Sequence, residues 1–181
     1  MSDATESTPG GSPTWEEILR APVPTQHVAQ FHAQTDFLVR AIGRYAEEGL
    51  RRGEGVVLIA RATHGRAISH RLAAEGLALD DLMARRQLRI LDADRTLPQV
   101  LVHGVPAPGR FQAVVGRAVA STKAAGYPTV RAFGEMADLL RRTSEAAALR
   151  LEALWNALLV EERIALVCGY SVDAFDPGIY D

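Results

Sequence analysis

The chain has a single cysteine, few aromatic residues (6%) and no apolar run near the ~20 residues needed to span a bilayer. One thiol, Cys168, cannot form an intramolecular disulfide or a multi-cysteine structural zinc site, which fits a reducing compartment. The amino terminus shows no basic segment leading into an apolar one, so the expected location is the cytoplasm. Neither charge dominates: 20 basic and 22 acidic residues leave a formal net charge of -2, with no long block or one-faced stripe. Direct binding to nucleic acid is therefore not expected, and neither is membrane association.

Signatures of chemistry are missing as well. The phosphate-binding loop GxxxxGK[ST] needs glycines and a lysine after an early strand, and here that segment, Phe31 to Phe37, reads FHAQTDF. The sole GxG, Gly53 to Gly55, precedes a strand instead of opening a helix, so a dinucleotide fingerprint is absent too. There is no HExxH and no GxSxG. An odd offset along a strand sends His27 and His32 to opposite faces, and six residues on a helix leave His64 and His70 about 120° apart. A metal would need a tertiary convergence of groups such as His103, Glu135 and Cys168. Cys168 itself lies in the apolar run IALVCGY, where cysteine behaves as a small hydrophobe. The expectation is thus no catalytic residue, no metal and no cofactor.

What remains is a chain with enough apolar residues (48% of 181) for one globular core. Residues 1–13 are rich in Ser, Thr, Gly, Pro and acids and read as flexible. Trp15, Ile18 and Leu19 have helical spacing before the prolines at 22 and 24, which suggests either a short docked helix or a mobile leader within a tail covering residues 1–24. From residue 25 to 181, short apolar runs alternate with amphipathic ones, the pattern of βα units feeding a parallel sheet. Strands are expected at His27 to His32, Gly55 to Ala60, Leu88 to Leu91, Thr129 to Phe133 and Arg163 to Tyr170. Helices are expected after Asp36, from Arg66 to Glu75, from Arg110 to Ala125 and through Leu149 to Leu159, with a short segment from Leu79 to Arg86. Residues 92–109 hold three prolines and two glycines and read as a longer connection that is not regular throughout and could cover a site.

In open α/β sheets ligands bind beyond the carboxyl ends of the strands, and these ends carry His32, Arg61, Asp92, Glu135 and Tyr170. Arg131 and Glu135 in RAFGEM could form a structural ion pair or contact a ligand. Asn156 sits on an apolar helix face and must satisfy its amide on a neighbour or a ligand.

These residues resemble, in order, the MEDS domain, the sensory domain named for methanogen and methylotroph proteins and the DcmR regulator of dichloromethane metabolism. The resemblance rests on His27, Phe31 and His32 of the first strand, where tyrosine is more usual at the last position. It continues through Gly49, Leu50, Gly53 and Glu54 before the second strand, and through Arg131, Ala132, Gly134, Glu135 and Met136. Glu152, Asn156, Cys168 to Tyr170 and Phe175 complete it. It implies a three-layer α/β/α fold with a mainly parallel, RecA-like or KaiC-like sheet of about five or more strands, without the ATPase loop. It also implies a non-catalytic sensor of small organic molecules, with His27, His32, Arg61, Arg131, Glu135 and Tyr170 as candidate ligand contacts. Signalling would pass through a regulatory protein such as a histidine kinase or a transcription regulator, and a homo-oligomer is a further expected assembly. Two alternatives stand beside it: a ligand-free interaction module, and an enzyme using His32 or Glu135 as acid or base.

Overall fold

The computed structural model describes residues 14–172. The expected flexible segment 1–13 and Phe175 lie outside them. In chain order the elements are α1 (Trp15–Arg20), β1 (His27–His32), α2 (Thr35–Arg51), β2 (Gly55–Ala60), α3 (Ala62–Ala74), α4 (Leu79–Ala84), β3 (Leu88–Asp92) and α5 (Ala93–Val100). A two-stranded hairpin follows, β4 (Leu101–Val102) and β5 (Val105–Pro106). Then come α6 (Pro108–Phe111), a π-helical turn at Gln112–Gly116, α7 (Arg117–Ala124), β6 (Val130–Gly134), α8 (Met136–Arg141), α9 (Glu145–Glu162) and β7 (Ala165–Ser171).

Five strands form one sheet in the order β1-β7-β6-β2-β3, with every pair parallel. Each β2 and β6 residue is buried, as expected of strands covered on both faces. Alternate side chains feed two cores. Val56, Leu58, Phe133 and Val167 pack against α1 to α4, whereas Val57, Ile59, Ala132 and Cys168 pack against the helices from α5 to α9. From β1 to β3 the chain steps one way across the sheet through helices on the first face, and it returns through β6 to β7 with helices on the second. A uniform crossover hand requires this division. The two directions part between β2 and β6, and there the loops beyond the carboxyl ends diverge to opposite faces. This is the topological switch point, where doubly wound sheets open a crevice.

Residues 92–109, expected not to be regular throughout, hold one helix and the hairpin: Asp92 caps α5 by accepting the Arg95 amide at 3.1 Å, and buried Ala93, Thr96 and Val100 hold the helix although Pro98 lies inside it. One expectation changes. The helix expected from Arg66 begins at Ala62, directly after β2. The alternatives left for the segment before β1 resolve into a docked helix. Thr14 and Glu17 form a capping box, and buried Leu19 places α1 on α2. No helix among the described residues is long and apolar enough to cross a membrane.

Candidate functional site

The switch point is occupied by a charged network. Glu135 follows β6, and its carboxylate, 1% exposed, accepts the backbone N–H of Arg61 at 2.8 Å across the divide. Its other oxygen meets Nδ1 of buried His64 at 2.7 Å, and Nε2 of His64 lies 3.4 Å from Oγ1 of Thr35 at the start of α2. The ring of His32, at the end of β1, packs edge-on to His64 with centroids 5.9 Å apart. One helical turn beyond Glu135, buried Asp138 binds the guanidinium of Arg61, accepts from Arg141 at 3.2 Å and accepts the Ser171 amide at 3.2 Å. The loops after β2 and β6 and the carboxyl end of β7 are thereby tied together by two carboxylates. Burial holds the His32 pKa below its usual value, opposed by Glu135 and Asp138 and assisted by His64 and Arg61.

Beside this network lies a cleft of about 480 Å³ between α3, α4 and the carboxyl ends of β2 and β3. Ala60 and Ala62 flank Arg61 at its inner wall, Leu79, Met83 and Ile90 supply apolar surface, and Arg66, Asp80 and Asp92 bring charge. Its volume and apolar lining with a few charged groups are those of small-molecule sites. Gly65 faces the cleft, and a Cβ there would meet nothing closer than 3.6 Å.

A second cluster lies on the other face of the sheet, under α9. Nδ1 of His27 is 2.7 Å from Oδ1 of Asn156, and Nε2 is 3.1 Å from Glu152 and 3.3 Å from Sγ of Cys168. The Tyr170 hydroxyl donates to Glu152 at 2.5 Å, and its ring stacks on Phe31 at 5.5 Å. The Glu152 hydrogen bond raises the His27 pKa against the effect of burial, with help from Asn156. Burial would raise that of Glu152, but His27 and Tyr170 outweigh it and the net direction is down. Burial pushes the Cys168 thiol well up, and Glu152 adds to this.

The six expected contacts therefore divide three ways. His32, Arg61 and Glu135 meet at the switch point, and His27 and Tyr170 belong to the α9 cluster. Arg131 belongs to neither. It sits at the amino end of β6, is 1% exposed, binds Glu54 through Nε, and donates to the carbonyls of Leu19 (2.8 Å), Tyr45 (3.2 Å) and Arg20 (2.9 Å). Its expected pairing with Glu135 is thus replaced by Glu54 and three carbonyls that fasten α1 and α2 to the sheet. Both oxygens of Glu135 already accept protein hydrogen bonds, so neither is directed at a substrate. Sequence reasoning did not place His64, Asp138 or Arg141 here. Their signal was position alone, on the helices that follow the two strands flanking the switch.

A family model, MEDS (MEthanogen/methylotroph, DcmR Sensory domain), matches residues 26–181. No curated protein matches the chain. Among solved structures, the chain is similar to a KaiC-like protein from the hyperthermophilic archaeon Pyrococcus horikoshii OT3, at 16% identity and a TM-score of 0.53. The likeness covers 86% of this chain and 65% of that one, so this chain spans less than two thirds of the archaeal protein's length. At that identity it shows the shared RecA-like fold.

Proposed function

The chain belongs to the MEDS family of sensory domains, and from that premise we propose that it binds a small organic molecule at the carboxyl edge of its sheet and signals through a partner protein. The observation that carries this reading is the cleft of about 480 Å³ that begins on either side of Arg61, beside the switch point. Its apolar wall suits the carbon skeleton of a ligand, and Arg66 and Asp92 suit a polar substituent. Arg61 gives the cleft a route to the rest of the molecule. Its backbone is held by Glu135 and its guanidinium by Asp138, so a ligand that displaces this loop disturbs the segments after β6 and β7 as well. The output partner we infer is a regulatory protein, a histidine kinase or a transcription regulator, reading that edge.

Native mass spectrometry of freshly purified protein tests the reading, with Gly65→Leu as the control. The Cβ of the variant fits, and Gly65 lines the cleft, so a leucine there takes up part of the ligand's space. A retained small molecule on the wild type that is lost from the variant is the expected result. Equal retention by both places the ligand elsewhere, and an empty wild type leaves a ligand-free interaction module as the better description.

A further inference from the structure

The cluster under α9 brings three metal-ligand types within 4.8 Å of one another. His27 opens β1, Glu152 lies on α9 and Cys168 lies in β7, with 141 residues between His27 and Cys168. Spacing along the chain therefore gives no hint of them as a set. In space, Nε2 of His27, Oε2 of Glu152 and Sγ of Cys168 form a triangle with edges of 3.1, 3.3 and 4.0 Å. A tetrahedral zinc ion, with bonds of about 2.0 Å to N and O and about 2.3 Å to S, requires ligand separations of about 3.3 to 3.5 Å. Two edges agree to within about 0.2 Å, and the third exceeds the tetrahedral value by about 0.5 Å.

The surroundings are those of a ligand set as well. An amide oxygen only accepts, so Asn156 fixes a proton on Nδ1 of His27 and turns Nε2 towards the other two groups. Tyr170 holds the second oxygen of Glu152, leaving Oε2 for the centre of the triangle. The side chains of His27 and Glu152 are 21% and 19% exposed, which gives an ion a path from solvent.

We propose that His27, Glu152 and Cys168 form a binding site for one divalent, zinc-class metal ion, with Asn156 as the residue that positions His27. Thiolate, imidazole and carboxylate together favour zinc or cobalt over magnesium or calcium. On binding, the Cys168 S–H bond breaks, the sulfur keeps the electron pair and donates it to the ion, and the proton passes to the buffer. Three protein ligands leave a fourth position for water or an exogenous donor.

The test uses the full chain, stripped with a chelator and titrated with zinc chloride or cobalt chloride. The expected result is one ion per chain and, with cobalt, a thiolate-to-metal charge-transfer absorption. Cys168→Ser should abolish that absorption and weaken binding by more than the roughly 10 to 100-fold expected of an outer-shell residue. Asn156→Ala should weaken it about 10 to 100-fold, and His103→Gln, on the exposed hairpin, should change nothing. His27→Gln carries the same test if the serine variant does not fold. Absence of stoichiometric binding overturns the proposal, as does a cobalt spectrum without charge transfer or binding that survives the ligand substitutions.

Discussion

Replacing Glu135 by glutamine changes one oxygen for an NH2 group in a space with 1% exposure. The carboxylate accepts twice, from the Arg61 amide at 2.8 Å and from His64 at 2.7 Å. If the amide oxygen keeps Arg61, its NH2 group faces Nδ1 of His64. That nitrogen must then become an acceptor, with the ring proton moving to Nε2, 3.4 Å from Thr35. Two hydrogen bonds to a charged group, each worth about 1.5 to 3 kcal/mol, become two neutral ones worth about 0.5 to 1.5 kcal/mol. The expected loss is about 2 kcal/mol. Glu135→Ala strands both partners and should cost about 4 kcal/mol, since each buried unpaired group costs about 1 to 3 kcal/mol. Urea unfolding of wild type, Glu135→Gln, His64→Gln and the double variant gives the coupling, expected at about 1 kcal/mol or more. A glutamine variant within about 0.5 kcal/mol of wild type, with no coupling to His64, would refute the account of Glu135 as the clasp of the switch point.

Arg131→Met should cost about 3 to 5 kcal/mol, because it leaves Glu54 and three carbonyls without their cation, and hydrogen exchange should rise first in α1. Gly49→Ala tests the same post: a Cβ there falls 2.8 Å from Cδ of Arg131, so thermal unfolding should show a loss of about 1 to 3 kcal/mol. Gly65→Ala should fold at least as well as wild type, since alanine outranks glycine in helices and a Cβ there meets nothing closer than 3.6 Å, and calorimetry should show no lowered midpoint. His32 has a folded pKa below 6.5, so the unfolded chain takes its proton more readily. Its contribution to stability is present above pH 6.5 and is lost as pH falls through the folded value, with a slope of at most about 1.4 kcal/mol per pH unit. Unfolding midpoints of wild type and His32→Gln between pH 7.5 and 5 should converge towards the acid end.

The sheet was legible because its strands are short apolar runs bounded by glycines and amphipathic helices, and all five expected strands lie within one or two residues of those observed. Helix starts were less so. α3 begins at Ala62 without a side-chain cap, and α5 carries Pro98, a residue that local rules read as a break. At the carboxyl edge, His32, Arg61 and Glu135 could be found from topology, because a strand end is a place before it is a contact. Arg131 could not be assigned in the same way. Sequence shows that a strand arginine needs partners but not that they come from Leu19, Arg20 and Tyr45, more than 80 residues away. The α9 cluster was hidden for the same reason: its members come from a strand, a helix and another strand.

The strand order also has a temporal side. β1 is an edge strand whose one neighbour in the described sheet is β7, the last of the described strands. During synthesis β1 precedes the other described strands and must wait until β7 has been made before its backbone finds a partner. Closing so long a loop makes this a late and slow step, with β2, β3 and β6 able to assemble before it. Until then the amides and carbonyls of β1 are an open edge to which another chain can add. Removing β7 would therefore strip β1 of its pairing at the same stroke, and the first and last of the described strands would be lost from the sheet together.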